Sequence, residues 1–438
     1  MINKLKSLKN HQGFMKYFKN TSWLLFERMF KMGISFFVII LLTRYLGPGN
    51  FGLLSYSQSL VGIFVAFATL GIDVILVREL TKNQDSNDKL LGTAIILKFI
   101  ASIIAIAIIF VINTTLEDKE AVLLTNIIAF TLLFQGISAI DTYFQANVLS
   151  KFSVIANIIA FVISSIVKLV LIFYEAELIY FAYSLVFDSV VIAMGYLYIY
   201  AKQKKSLISL RYDKQIAIYF LKNGWPLILV AMAAFIYTRT DQIMIKHLVD
   251  NEAVGNYAAA TKVSELVYFI PLLITQSLFP KIIEVKLKSE KEYFKLLEKL
   301  YKLLVWTAIP VSLSLFVFSD SIVSILYGEA YIEAASILNI LAFAIVFNAI
   351  GSITTKMLYA EHYEKKYLYR SILGVFVNIG LNFWLINLYG ASGAAVSTLI
   401  TLFVIYYIYD IFDKDLHKFY SMKWRCFIPQ IKKTEEIK

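Results

Sequence analysis

Charge is scarce in this chain. Of its 438 residues, 17% are Asp, Glu, Lys or Arg and 59% are hydrophobic, against about 25% and about 45–50% in a typical soluble domain. A soluble enzyme of 50.0 kDa with that balance could not clothe its surface, and a mean hydropathy of +0.69 excludes an intrinsically disordered chain as well. Cysteine is nearly absent: Cys426 stands alone, which rules out a disulfide scaffold and a cysteine-built zinc or iron–sulfur centre. The four histidines, His11, His247, His362 and His417, never approach metal-ligand spacing. A P-loop, a glycine-rich phosphate cradle, paired carboxylates at an outer membrane face and a Ser/His/Asp set are all missing too. What remains is a polytopic membrane protein.

A helix crosses hydrocarbon with about 20 apolar residues. Twelve stretches qualify, at 22–42, 52–77, 91–113, 121–142, 153–173, 179–201, 216–246, 254–280, 300–319, 332–359, 367–388 and 392–412. The basic first twenty residues run straight into the first of these with no small-residue cleavage site, so the sequence predicts no removable signal peptide. Of the 42 Lys and Arg residues, 31 fall in the two terminal segments and the even-numbered loops, whereas the odd loops hold only Arg44, Lys119 and Lys246. That asymmetry predicts cytoplasmic termini. The net charge of +11 is then a topology signal, and nucleic acid is not expected as a partner. The eighth loop, KIIEVKLKSEKEYFKLLEKLYK, has helical periodicity. It reads either as an amphipathic segment on the anionic inner leaflet or as a solvated connector.

Two halves of six spans follow, 1–201 with its N-terminal arm and 216–413, joined by a linker at 202–215 and closed by a basic tail at 414–438. LGPGNFGLLSYSQSL resembles VDNEAVGNYAAATKV, with Gly52 on Gly255. The stretch from Gln145 likewise resembles that from Ala360, with Lys151 on Lys365. Even-numbered halves make parallel repeats, a transporter plan whose site lies where the halves meet near mid-membrane. The longest outer loop, around Asp320–Tyr331, is too short to house a polymerase or glycosyltransferase site. The fold class expected is an all-α integral membrane protein of two pseudo-symmetric six-helix bundles.

Charges inside the spans mark the candidate site, because one at the bilayer centre costs about 2.5–3.5 kcal/mol even on a lenient scale. Eight basic residues lie there, Arg28, Lys31, Lys98, Lys168, Lys222, Arg239, Lys262 and Lys356, with Glu27, Asp73, Asp141, Asp188, Asp241 and Glu265. At 1.5 Å per residue, Arg28 sits roughly 9 Å and Asp73 about 6 Å from the same face, so they are candidates for an ion pair. Glu27 and Lys31 can pair along one helix, and Lys222 and Lys356 can snorkel. Arg239 and Lys262 reach nearly one depth, with Asp241 and Glu265 close by. That grouping reads either as an internal salt-bridge cluster or as a cationic pocket for a phosphate or diphosphate, which would match the excess of two positive charges. Asp188 is a candidate proton or Na⁺ site or the partner of Lys168 or Lys98.

TRYLGPGNFGLLSYSQSL, DTYFQANVLSKF and NIGLNFWLINLYGASGAAVSTLIT together resemble oligosaccharide flippases of the polysaccharide transport family, within the multidrug/oligosaccharidyl-lipid/polysaccharide exporter superfamily. The resemblance spans essentially the whole chain. It implies a MATE-like fold in the bacterial plasma membrane and no enzymatic activity. Transport would be of an undecaprenyl-diphosphate-linked oligosaccharide from inner to outer leaflet, for O-antigen, capsule or a similar polymer. It further implies rocking of the halves, coupling to a proton or sodium gradient without another cofactor, and a polymerase and chain-length regulator of the same pathway as partners. Arg28, Lys31, Arg239 and Lys262 are the matching cavity cations, and Asp73, Asp188, Asp241 and Glu265 the candidates for ion coupling or internal pairing. A flippase of lipid-linked peptidoglycan precursor would be expected to carry two further spans. A multidrug antiporter would favour an acidic pocket, and a polymerase a larger outer domain.

Overall fold

The computed structural model describes residues 12–82, 86–203 and 209–427; residues 1–11 of the basic arm, 204–208 of the linker and 428–438 of the tail lie outside them. Among the described residues the secondary structure is helical throughout, with no strand. The helices are α1 Gln12–Ala68, α2 Ile72–Lys82, α3 Asn87–Asn113, α4 Lys119–Ala129, α5 Ala139–Ala146, α6 Ser150–Phe173, α7 Leu178–Lys202 and α8 Lys214–Leu248. There follow α9 Asn251–Lys288, α10 Glu290–Tyr327, α11 Ile332–Ala360, α12 Glu364–Phe403, α13 Tyr409–Phe412 and α14 His417–Arg425. Ten stretches among the described residues are long and apolar enough to cross a membrane.

Two of those stretches, Ser22–Lys82 and Glu364–Phe412, far exceed the roughly 20 residues one crossing needs. Each is broken at a glycine. Gly47 takes φ 69°, ψ 171° just before Pro48, and Gly390 takes φ 59°, ψ −141°. Proline disfavours a helical residue before it, and only glycine enters the positive-φ region without strain. The arms of α12 run antiparallel past this break, since Ser397 Oγ donates to the Asn378 carbonyl at 3.1 Å. The expected fourth span is a single stretch whose middle, Phe130–Gln135, tightens into a 3₁₀ turn between α4 and α5. The basic eighth loop extends the spans on either side of it. α9 and α10 are interrupted only at Ser289, an extended residue whose Oγ caps the Glu292 N–H.

By compactness the chain forms two units, Met1–Arg239 and Thr240–Lys438, so the division falls inside α8 and beyond the polar linker. The packing of α8 explains this. Gly224 lies so close to the turn after α1 that a Cβ there would sit 2.7 Å from the Leu70 carbonyl oxygen, and one on Gly71 2.7 Å from Leu227 Cβ. The first part of α8 is therefore seated on the first unit, whose core gathers Leu76, Leu91, Ile140, Phe144, Tyr200 and Phe220. Outward faces carry bare apolar side chains such as Ile104, Val111, Phe173 and Phe376. A surface of that kind suits lipid as its solvent.

Candidate functional site

Helix packing decides which of the intramembrane charges meet. In the first unit, α2 lies against α3 and α5, and Asp73 is engaged by the fully buried Lys98 ammonium and by Thr142 Oγ1 at 3.2 Å. Lys98 also donates to Ser138 Oγ at 3.3 Å. The sequence offered Arg28 as the partner of Asp73, because counting residues fixes depth along a helix and not which neighbour its face meets. Lys168 pairs with Asp188 between α6 and α7, the simpler of the two readings for that carboxylate. Glu27 and Lys31 pair along α1 at 2.7 Å, as their spacing suggested. Asp141 accepts from Gln145 Nε2 at 2.9 Å, while its other oxygen is buried without a partner.

In the second unit Asp241 is 3% exposed, and its hydrogen-bond partners are neutral. Tyr257 OH donates at 2.5 Å, Asn382 Nδ2 at 2.6 Å and Thr398 Oγ1 at 2.8 Å. Asn382 Nδ2 also reaches Asn378 Oδ1 at 3.1 Å, and Asn382 Oδ1 is buried without a partner. The salt-bridge cluster expected of Asp241, Glu265, Arg239 and Lys262 is thus not built around Asp241. Lys262 pairs instead with Glu265 along α9, at 3.1 Å and about one-third exposed. Arg239 is half-buried on α8 at the close of the first unit, and Arg28 is exposed on α1.

Asp241 is thus a buried carboxylate held by neutral hydrogen-bond donors, and an ionisable group of that kind inside apolar helices is a candidate functional site. Among the described residues there is no group of three or more His, Cys, Asp and Glu that could hold a metal ion. The donors around Asp241 come from α9 and both arms of α12. Their only trace in the sequence is the polar spacing of NIGLN, which puts Asn378 and Asn382 on one helical face.

A second buried polar cluster escaped the sequence reading. Arg370 at the start of α12 and Lys423 of α14 both hold Asp410, and all three are buried. Arg370 and Lys423 read as loop and tail charges obeying the topology rule. The available signal was Asp410 itself, a carboxylate near the end of the last apolar stretch.

Long apolar helices that bury hydrogen-bonded carboxylates and lysines define a polytopic α-helical membrane protein. The backbone agrees. It superposes on an inward-facing MATE family transporter of the MOP superfamily with a TM-score of 0.70, at 15% identity over 89% of this chain and 96% of that one. On the lipid II flippase MurJ, inward closed, the TM-score is 0.69 at 18% identity, over 92% and 90%. The polysaccharide biosynthesis protein family model matches residues 17–286 and the MatE model residues 226–384. The chain belongs to the polysaccharide biosynthesis protein family. A Shigella flexneri relative named as an O-antigen transporter is 23% identical over 87% of this chain and 94% of its own length.

Proposed function

We propose that the protein is a flippase, and not an enzyme, that carries a diphosphate-linked oligosaccharide on a polyprenyl anchor across a bacterial plasma membrane, with both termini cytoplasmic. The observation that carries the reading is a set of ionisable side chains buried within apolar helices, in a chain of the polysaccharide biosynthesis protein family. A head of sugars and phosphates cannot cross hydrocarbon unaided, whereas its tail can stay in lipid. A relative named as an O-antigen transporter and a fold shared with a lipid II flippase support a lipid-linked glycan as cargo.

Among the cations, strength of pairing separates candidates from scaffold. Lys31 and Lys262 pair along their own helices and are about one-third exposed. Pairs of that kind are worth about 0.2–0.5 kcal/mol on isolated helices, so a diphosphate can take either lysine. Lys98 is fully buried while Asp73 stays 43% exposed, so losing the carboxylate would strand a buried ammonium at a cost of about 3–5 kcal/mol, and Lys98 serves the fold. Arg28, Lys31, Arg239 and Lys262 are the proposed headgroup contacts. Asp241, with Asn378, Asn382 and Thr398, would hold the coupling Na⁺ or proton, and the unpartnered Asn382 oxygen suits either.

The deciding experiment is leaflet-resolved measurement of lipid-linked oligosaccharide in a strain lacking the protein. Accumulation on the inner leaflet, cleared when the gene is restored, is expected, and mass spectrometry would name the sugar. Normal distribution with unpolymerised units stranded outside would point to a polymerase. Arg239→Ala is expected to impair flipping at normal abundance. Asp241→Asn is expected to remove dependence on a sodium or proton gradient in proteoliposomes; an unchanged dependence would take the ion away from this site.

A further inference from the structure

The buried cluster at the end of the second unit holds more positive charge than it balances. The guanidinium of Arg370 and the ammonium of Lys423 both point at Asp410, so two cations share one carboxylate. None of the three side chains is more than 2% exposed. Lys423 has a second acceptor in the Tyr406 carbonyl at 2.9 Å, offered from the π-helical turn Val404–Ile408. Arg370 is less well served. Its Nη2 reaches Asp410 and its plane lies 5.0 Å from the Tyr409 ring, but Nε and Nη1 are buried with no hydrogen-bond partner. The hydroxyl of Tyr407 is likewise buried and unpartnered. The carboxylates that follow Asp410 in sequence are taken: Lys366 holds Asp413 at 2.5 Å and Asp415 at 2.6 Å, the latter open to solvent.

Two debts have to be met together, a net charge and two orphaned donors. Burying an uncompensated charge costs several kcal/mol, and an unmet donor about 1–3 kcal/mol. Loss of the Lys423 proton would cancel the charge but leave the Arg370 N–H groups unmet, because a guanidinium does not deprotonate in proteins. Water would serve the donors and leave the charge. One small anion does both.

We infer that Arg370 and Lys423 bind a small monovalent inorganic anion that seals the docking of α14 onto the second unit. The anion is structural and separate from any phosphate of a transported substrate. Its role is to let a basic C-terminal helix, with Phe419 and Met422 buried beneath it, close over the end of the unit.

The test uses the full chain purified in detergent at pH 7, with thermal unfolding followed in sodium chloride and in sodium gluconate at equal ionic strength. A higher, saturable Tm in chloride is expected, and bromide should give an anomalous scattering peak within hydrogen-bond reach of Arg370 Nε. Lys423→Gln removes the surplus charge and should weaken the chloride effect by about tenfold or more. If that variant fails to accumulate, the bromide peak in the unaltered chain decides. Equal Tm values in the two salts with no bromide peak would overturn the site. So would a chloride effect that persists undiminished in Lys423→Gln.

Discussion

At the scale of single residues, the chain uses the same chemistry for two purposes. Lys98 and Lys262 are both lysines inside apolar helices with a carboxylate partner. One is sealed between α2, α3 and α5; the other lies along a single helix with a third of its side chain open. Removing the partner of a buried charge leaves that charge uncompensated, which is what makes such pairs costly to break. Asp73→Asn, which strands the buried Lys98 ammonium, should therefore destabilise the protein by about 3–5 kcal/mol, seen as a large fall in detergent Tm and in abundance. The double change Lys98→Met with Asp73→Asn should recover much of that loss. Lys262→Met should leave stability within about 0.5 kcal/mol of the unaltered chain and act on transport instead. A reversal of this order would put the headgroup contact at Lys98.

At the scale of elements, small residues set what packs where. Gly224 brings α8 against the backbone at Leu70, so Gly224→Val should cost at least about 1–3 kcal/mol through overpacking. Gly380, on α12, has nothing within 4 Å of a built Cβ, and Gly380→Ala should be neutral or stabilising by about 0.5–1 kcal/mol. Thermal melts of the two variants side by side check the pair. The apolar stretches, the short connections and the pairing of Glu27 with Lys31 were legible in the sequence, since each depends on local composition or spacing. The partner of Asp73 was not, because it depends on how α2 is rotated against α3. Nor were the neutral donors around Asp241, a residue its own charge had marked: Tyr257, Asn382 and Thr398 lie 16, 141 and 157 residues away. Neutral side chains carry no charge signal, so beyond the spacing of Asn378 and Asn382 nothing in the sequence set them apart from other polar residues in apolar helices. The division of the chain inside α8 was hidden for the same reason. The linker reads as the boundary by polarity, while a glycine contact decides it.

At the scale of the whole molecule, the interior ion pairs described in each unit close within that unit. Glu27–Lys31, Asp73–Lys98 and Lys168–Asp188 belong to the first, Lys262–Glu265 and the Arg370–Asp410–Lys423 cluster to the second. Each of these pairs can then stay intact when its unit moves as a body. Spin labels at two lipid-facing positions of the first unit, Val111 and Phe173, should keep their separation when a sodium or proton gradient is imposed; a change would mean that the unit itself deforms. Acidity acts on the second unit through Lys423. Burial is the larger cause holding its ammonium down to about 8, from 10.5 when free, with Arg370 adding to it and Asp410 opposing. A group whose bound pKa is lowered is best accommodated once it has lost its proton. Docking of α14 in a medium without small anions should therefore tighten as pH rises from about 8 to 10.5, and protease protection of the C-terminal segment against pH would show it.

The solitary cysteine gives that movement a clock. Cys426 follows α14 directly, buried, with its thiol donating to the Lys423 carbonyl at 2.7 Å and its own carbonyl accepting from Trp306 Nε1 at 3.1 Å. Burial pushes its pKa up to about 12, so near neutrality the docked thiol carries almost no thiolate and is inert to alkylating reagents. Each reaction then counts one release of the C-terminal helix, and the modification rate, read on the unmutated protein, reports how often the end of the second unit comes open.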